Sequence, residues 1–507
     1  MERPNFIVIM TDSQGANQVG AYGTPGLNTD RIDALTDHGV LFERAYTTTP
    51  ICSPARAGLF TGISPHLAGP WGNHLPLGAN IKTMGERFSD AGYRTAYIGK
   101  WHLEGHDYFG TGVCPPGWDP DYWFDGKNYL DELSDAEIAL WRGGLQTIED
   151  LEKHAVDAAF TWAHRNGDRA ERFLREAASG DDPFLLVVSY DEPHHPFTCP
   201  PEYAREFAEY RFPLGPQAHD TLEGKPEYQR EWAEASGFHF EDGHITLPLL
   251  FGCNAFVDHE IGRVLDAADA YAPENTWIIY TSDHGEIFGG HRLIGKGPAL
   301  YDEITRVPLI IRPPEGHGDI APGSVVHTPA GHLDILPTML GLAGLDAPPI
   351  LEGDDLLPIM RGGERPDRPV FMEYNRFEVE HDSFGGFFPI RGVYRDGVKL
   401  SINLFSTDEL YYLKHDPGEM HNLIDDPTYH ALRDDLHDLV LERMYAVRDP
   451  FRSPYWERRA WRDAGSRTLA WMGKYRPRPD DGYAPPYRDY DTGFPTKGVK
   501  VEFGGDE

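Results

Sequence analysis

Asn5-Phe6-Ile7-Val8-Ile9-Met10-Thr11-Asp12 is the stretch that decides the fold, because an unbroken apolar run ends at once in a hydroxyl and a carboxylate. A strand with no polar face has to be buried on both sides, as strands are in sheets sandwiched between helices. Two more runs repeat the design. Phe184-Leu185-Leu186-Val187-Val188-Ser189-Tyr190 leads into Asp191-Glu192-Pro193-His194, and Trp277-Ile278-Ile279-Tyr280-Thr281 leads into Ser282-Asp283-His284-Gly285. Helical stretches are predicted from Glu149 to Ala178 and from Gly252 to Ala270. Apolar strands alternating with helices predict an α/β fold, a large sheet covered by helices on both faces. Ligands of such sheets bind at the carboxyl ends of the strands, so Asp12, His194, Asp283 and His284 are expected in one crevice.

From Arg368 the pattern changes to Pro369-Val370-Phe371-Met372-Glu373-Tyr374, Ile390-Arg391-Gly392-Val393-Tyr394 and Lys399-Leu400-Ser401-Ile402-Asn403-Leu404, with Asp-Gly and Ser-Thr turn signals between them. This predicts a small antiparallel sheet, followed by a helix from Pro427 to Val447. The expected division is a catalytic α/β domain over 1–367, a small C-terminal α+β subdomain over 368–449 and an extended arm over 450–507. The arm is rich in Pro, Trp, Tyr and Arg, and such aromatics are costly to expose as one patch. It is expected to pack on the body or to join a homo-oligomer.

The chain has 507 residues, enough for one large core and a smaller one. A net charge of −35 excludes nucleic acid and anionic membrane surfaces as partners, because both are bound through basic patches. A small anionic substrate stays open, since clustered Arg and Lys act within a Debye length of roughly 8–10 Å. No run approaches the ~20 apolar residues of a membrane span, and the N-terminal run is too short for a signal peptide. The expectation is a cytoplasmic protein, or a periplasmic or secreted one whose leader has been removed. The cysteines, Cys52, Cys114, Cys199 and Cys253, are scattered without C-x-x-C pairing, so neither a disulfide framework nor a zinc knuckle is indicated.

Cys52 stands apart by its neighbours, Cys52-Ser53-Pro54-Ala55-Arg56-Ala57-Gly58-Leu59-Phe60-Thr61-Gly62. Without Pro54 and Arg56 it would read as a small buried hydrophobe. With them the chain resembles the formylglycine-dependent sulfatase family of the alkaline phosphatase superfamily, in which the Cys of C-x-P-x-R is oxidised to formylglycine (3-oxoalanine). The pentapeptide follows a strand that ends in Asp and the segment Thr29-Asp30-Arg31-Ile32-Asp33-Ala34-Leu35, and it precedes Gly99-Lys100-Trp101-His102-Leu103. The resemblance continues through Asp283-His284-Gly285-Glu286, Gly295-Lys296, Leu410-Tyr411-Tyr412-Leu413 and Asp416-Pro417-Gly418-Glu419, and covers about residues 4–445. It implies an alkaline-phosphatase-like large mixed sheet and the hydrolysis of a sulfate monoester.

The resemblance also implies roles. Hydrated formylglycine at Cys52 supplies a geminal diol, one hydroxyl of which attacks sulfur while loss of the other proton ejects sulfate. Arg56 holds the diol and Lys100 bridges it to sulfate. His102 is the base of the second half-reaction, and His194 and Lys296 attend the leaving oxygen. Lys100 and His102, two apart on a strand-like segment, are expected to face one side. Calcium, with manganese or magnesium as alternatives, falls to Asp12, Asp283, His284 and the Cys52-derived oxygen. A helix N-cap is the lesser alternative for Asp283. Where the family often has a second Asp the chain has Ser13, then Gln14, so either of these or water completes the shell. Many relatives have Asn where His284 stands.

Trp71, Asn73 and His74, together with His106, Asp107 and Tyr108, fall where relatives place specificity loops. His195 and His291 are further candidates for substrate contact. Aromatic and polar side chains suit sugar rings, and surface packing explains them almost as well. The expected substrate is a sulfated saccharide, and a formylglycine-generating enzyme is the implied maturation partner. The alternative activity is that of a phosphonate monoester or phosphodiester hydrolase of the same superfamily, against which the pair Lys100 and His102 counts. A non-catalytic sulfated-glycan-binding protein would not need Cys52, Pro54 and Arg56.

Overall fold

The computed structural model describes residues 3–177, 180, 182–238, 242–378 and 386–462. Its main sheet has eight strands: β1 (Asn5–Thr11), β2 (Val40–Phe42), β3 (Arg94–Gly99), β4 (Trp123–Phe124), β5 (Phe184–Ser189), β6 (Thr276–Ser282), β7 (Leu309–Arg312) and β8 (Ser324–Val326). Their spatial order is β8-β2-β7-β6-β1-β5-β3-β4. β7 runs antiparallel to β2 and β6 while the other pairs are parallel, which makes the sheet mixed.

Four helices concern the site: α1 (Asp30–His38), α2 (Cys52–Thr61), α3 (Trp162–Ala177) and α4 (Pro248–Tyr271). The apolar run of β1 lies at the centre of the sheet, with Phe6 paired to Leu185 on one side and to Trp277 on the other. Ile7 and Ile9 enter a core with Phe173 and Leu174 of α3 and Phe256 and Ile261 of α4. Phe6, Val8 and Met10 enter the opposite core with Leu59 and Phe60 of α2 and with Ile335, Leu336 and Met339. Burying such a side chain fully is worth about 1.5–3 kcal/mol, so covering both faces selects an unalternating apolar strand.

The single helix predicted from Glu149 to Ala178 is two helices, Ile148–Lys153 and α3, with a 3₁₀ turn at Ala158–Phe160 between them. Side-chain caps make the break. Asp157 accepts the Phe160 N–H and Thr161 Oγ1 accepts the His164 N–H, so each starts a new element. Ala155, at φ +49°, turns the chain between them. Residue 178 lies outside the described residues. The helix predicted over Gly252 to Ala270 extends to Pro248–Tyr271.

The C-terminal strands are β9 (Val370–Tyr374), β10 (Ile390–Arg395), β11 (Val398–Asn403) and β12 (Glu409–Tyr412), each antiparallel to the next. Asp396-Gly397, with φ +49° and +82°, makes the tight turn between β10 and β11 that the dipeptide predicts. One face of this sheet packs Met372, Tyr374 and Ile390 against Tyr46, Ile51 and Tyr301 of the body. The other face packs Leu400 and Ile402 beneath Leu436 and Val440 of α5 (His430–Ala446). A 3₁₀ turn at Pro427–Tyr429 precedes α5. Of the expected arm, residues 450–462 carry a short helix, Pro454–Glu457, and a buried Trp456; the remainder lies outside the described residues. No helix of the described residues is long and apolar enough to cross a membrane.

One glycine links the sheet to what lies at its edge. Gly99 ends β3 at φ +113°, and a Cβ there would stand 1.8 Å from the Ser189 carbonyl oxygen of the neighbouring strand. Gly99→Ala is therefore expected to lower stability by about 2–4 kcal/mol in urea unfolding. A loss below about 0.5 kcal/mol would show that the backbone can leave β3 by another route.

Candidate active site

Four neighbouring parallel strands, in the order β6-β1-β5-β3, end at one place. Thr11 pairs with Ser282, so Asp12 and Asp283 emerge side by side. Ser189 pairs with Met10 and with Gly99, which brings Lys100, Asp191 and His194 to the same end. Cys52 is the first residue of α2, and Arg56, four residues on, shares its helix face.

Arg56 is fully buried and bonded on every side. Its Nε donates to Asp283 Oδ2 at 2.9 Å and its Nη2 to Asp12 Oδ2 at 3.0 Å, while Nη1 reaches the Lys100 carbonyl at 2.6 Å and Ser189 Oγ at 2.8 Å. Cys52 Sγ lies 3.0 Å from Lys296 Nζ, 3.2 Å from His284 Nε2 and 3.7 Å from Asp12 Oδ1. Burial and Asp12 push the thiol up, yet Lys296, Lys100 and His284 outweigh them and hold it well below the usual thiol range. The position of Cys52 thus favours a negatively charged atom.

Asp12, Cys52, Asp283 and His284 each offer one ligand atom, all within 4.8 Å of one another. His284 Nδ1 faces the Gly285 carbonyl at 2.8 Å, which can only accept, so the proton sits on Nδ1 and Nε2 presents its lone pair. Burial and then Asp12 lift the Asp283 carboxyl to about 7 despite His284 and Arg56. Asp12, also opposed by burial, is held well below the carboxylate range by Lys100, His194, Lys296 and Arg56. Two carboxylate oxygens and an imidazole lone pair brought this close together are a donor set suited to a hard divalent cation.

Lys100 Nζ sits 2.7 Å from Asp12 Oδ2, 3.1 Å from Asp191 Oδ1 and 3.7 Å from the centre of the Tyr108 ring. His102 reaches the site differently from the strand-like expectation. β3 stops at Gly99, and His102 adopts φ +59°, so a turn and not strand alternation brings its side chain round. The ring is buried, and neither nitrogen has a hydrogen-bond partner among the described residues. Burial pushes the imidazole down to about 4, with Cys52 beside it opposing and Lys100 adding to the shift. His194 Nδ1 donates to the His195 carbonyl at 2.7 Å, which turns Nε2 toward Asp12 Oδ1 at 3.9 Å.

Ser13, at φ +64°, donates from Oγ to Asp12 Oδ1 at 3.0 Å and receives Lys296 Nζ at 3.3 Å. Gln14 points elsewhere. Its Oε1 accepts from Thr11 and Tyr280, and its Nε2 donates to Asn254, so both ends of the amide are engaged outside the four-residue group. Asn73, read from the sequence as a substrate contact, caps α2: its Oδ1 accepts the Ser53 N–H at 3.0 Å. His74 lies with its ring 5.9 Å from that of His102, and Trp71 packs edge-on against Phe387 and Phe451. His106 is exposed. His195 stacks on His194 at 4.3 Å and lines a cavity of about 710 Å³ together with Arg142, Phe197 and Leu250. His291 belongs to another cluster, with Nδ1 2.6 Å from Asp220 Oδ2 and its ring stacked 3.8 Å from Tyr301.

Asp191 completes the site without having been singled out beforehand as a site group, together with Tyr108 of the expected specificity loop. Tyr108 OH donates to Asp191 Oδ1 and lies 3.1 Å from His194 Nδ1. The signal for Asp191 was present, since it is a carboxylate just past the end of an apolar strand, as Asp12 and Asp283 are.

A sequence model of the family described as Sulfatase matches residues 4–345, and one described as N-sulphoglucosamine sulphohydrolase, C-terminal, matches residues 289–446. The chain is 55% identical over 504 residues to the uncharacterized sulfatase YidJ of Escherichia coli (strain K12), with 99% of each chain covered. It is 25% identical over 526 residues to the N-acetylglucosamine-6-O-sulfatase of Bacteroides thetaiotaomicron, covering 89% of this chain and 88% of that one. In fold it is similar to the crystal structure of the phosphonate monoester hydrolase of Agrobacterium radiobacter, with a TM-score of 0.68 at 24% identity over 89% of this chain and 97% of that one.

The Asn73 cap gives a test that needs no assay of activity. Asn73→Ala leaves the Ser53 N–H buried without a partner, and is expected to cost about 1–2 kcal/mol in chemical unfolding. Asn73→Asp, which keeps the acceptor at a helix N-terminus, should recover most of that loss. An alanine variant as stable as the parent would remove the cap from the account of how Cys52 is positioned.

Proposed function

The chain belongs to the sulfatase family, and on that footing we propose that it cleaves the sulfate monoester of a saccharide, with a nucleophile made from Cys52 and a divalent cation held by Asp12, Asp283 and His284. The observation that carries the reading is the setting of Cys52: at the start of α2, buried, between that donor set and the ammonium of Lys296. A sulfate monoester resists anionic attack, so its cleavage needs a strong oxygen nucleophile and fixed positive charge around the oxyanion. Oxidised to 3-oxoalanine and hydrated, Cys52 would supply the oxygens that attack sulfur and later release sulfate, and calcium, with manganese or magnesium as alternatives, would lower the pKa of the attacking one. A formylglycine-generating enzyme is the maturation partner this requires.

The remaining work falls to side chains whose places are defined. Arg56 fixes the carboxylates of Asp12 and Asp283 and lends its charge to the nucleophile. Lys100 compensates charge on the transferred group. His102, neutral at neutral pH and beside Cys52, is placed to take the proton whose removal ends the cycle. Lys296 is the charged donor for the leaving oxygen, and His194 turns Nε2 toward Asp12 beside it. The saccharide assignment draws on the relative named for N-acetylglucosamine 6-O-sulfate and on the cavity behind His195, which offers apolar walls and Arg142 to a ring bearing hydroxyls. The presence of both Lys100 and His102 at Cys52 favours sulfate over phosphonate esters.

Cys52→Ala and Cys52→Ser are expected to abolish turnover of nitrophenyl sulfate while leaving urea unfolding within about 1 kcal/mol of the parent. In active material, peptide mass should show loss of the thiol at Cys52. Full activity from unmodified thiol would overturn the nucleophile assignment, and faster turnover of a phenylphosphonate ester than of the sulfate would overturn the substrate assignment.

The half-reactions separate in time. His102→Ala should release about one alcohol per site in a burst and then stall, because only the second half needs its base. Lys296→Ala should show no burst, and its penalty should rise from small on a nitrophenyl sulfate toward 10²–10⁴-fold on an alkyl or sugar sulfate, whose alkoxide needs a proton. Rapid quench on both substrates reads the difference. Equal losses on both, without a burst from His102→Ala, would mean that the roles are assigned to the wrong residues.

A further inference from the structure

Asp191 performs none of the steps above, yet it is 2% exposed and bound directly to one of the cations that face Cys52. Three groups surround the ammonium of Lys100: Asp12 at 2.7 Å, Asp191 at 3.1 Å and the face of Tyr108 at 3.7 Å. Two carboxylates thus share the ammonium, and the Tyr108 ring adds a cation–π contact, leaving one N–H donor without a carboxylate partner among the described residues. Tyr108 in turn donates its hydroxyl to Asp191 and fixes that carboxylate. Burial lifts the Asp191 carboxyl, and Lys100 and Tyr108 act in the opposite direction.

The charge inventory gives this contact a purpose. The fixed cations around Cys52 are Arg56, Lys100 and Lys296, and Arg56 is already matched at hydrogen-bond distance by Asp12 and Asp283. Lys296 Nζ stands 3.9 Å from Asp12 Oδ1, whereas Lys100 is held at hydrogen-bond distance by Asp12 and Asp191, so the charge that Lys100 presents to the substrate's oxyanion is set by those two carboxylates. A sulfate monoester carries one negative charge. A phosphate monoester has the same tetrahedral shape but carries nearly two above its second pKa of about 6. Shape cannot separate them, whereas a buried carboxylate on Lys100 can, because water does not screen it. Building on the sulfatase reading, we propose that Asp191, acting through Lys100, tunes the site to monoanionic esters and sets it against dianionic ones. It is a positioning and selectivity residue and touches no reacting atom.

The test compares the metal-loaded, matured parent with Asp191→Asn, Asp191→Glu and Tyr108→Phe at pH 8. The substrates are nitrophenyl sulfate and a nitrophenyl phenylphosphonate, each carrying one charge, and nitrophenyl phosphate, carrying two. Phenyl phosphate serves as a competitive inhibitor of sulfate hydrolysis, so selectivity is read even where phosphate turnover is too slow to follow. Asp191→Asn is expected to raise the phosphate-to-sulfate ratio of kcat/KM by about tenfold to a hundredfold, with a parallel fall in the inhibition constant of phenyl phosphate. The phosphonate-to-sulfate ratio should stay within about threefold. Asp191→Glu should return the parent ratios, and Tyr108→Phe, which changes no charge, should leave them in place. If Asp191→Asn does not fold, Asp191→Ser provides the neutral side chain.

Equal losses on all three esters would reduce Asp191 to scaffolding and overturn the proposal, as would a phosphonate ratio that moves with the phosphate ratio. Failure of the sulfatase reading has a different signature. A parent enzyme that does not turn over nitrophenyl sulfate overturns both readings, whereas sulfate turnover with unmoved ratios overturns this one alone.

Discussion

The buried guanidinium of Arg56 is the interaction on which the rest of the site depends. Stripped of water, it requires anionic partners, and it has them in Asp12 at the end of β1 and Asp283 at the end of β6. Its remaining nitrogen reaches the Lys100 carbonyl beyond β3 and Ser189 of β5. One side chain on α2 thus fixes the ends of four strands relative to the helix that carries Cys52. Removing either carboxylate would leave a buried charge under-compensated, a penalty of several kcal/mol that no surface contact approaches. The same bonds hold the two carboxylates in place as metal ligands.

The chain is strongly acidic as a whole, whereas cations paired with the carboxylates of Asp12, Asp191 and Asp283 surround Cys52. The chain has a formal charge of −35, while the space around Cys52 is ringed by Arg56, Lys100 and Lys296. This is compatible with an anionic substrate because exposed charges are screened within a Debye length and buried ones are not. Screening also explains why Asp191, one carboxylate among the 81 acidic residues, weighs more on the site than the whole acidic surface.

Residues governed by local rules were legible in the sequence. The apolar strands, the carboxylates just past their ends, the Asp396-Gly397 turn and the small antiparallel sheet follow from patterns a few residues long. What escaped depends on partners distant in the chain. Nothing near Asn73 announces that its side chain caps a helix begun by Cys52, and nothing near His291 announces Asp220 and Tyr301. The break after Lys153 was missed for another reason, since the helical pattern is continuous there and caps at Asp157 and Thr161 override it. His102 reaches its place through a left-handed backbone that strand alternation does not foresee. Gln14 looked equivalent to Ser13 as a neighbour of Asp12, but Tyr280 and Asn254 claim its amide.

The position of β1 has a consequence for the birth of the chain. Among the strands of the main sheet it is the first to be made and its second neighbour comes late, since its neighbours are β5 and β6 and Phe6 finds its second partner only at Trp277. At about 5–20 residues per second, that partner emerges on the order of tens of seconds later. Until β5 is made both edges of this apolar ribbon lack their partners, and until β6 is made one still does, the kind of species that joins others like itself. The long-range pairing that builds the site also makes folding slow, because loop closure precedes any reward from contact. Yield from a cell should therefore respond to translation speed and to chaperones that bind extended apolar segments, independently of any change in the stability of the finished fold.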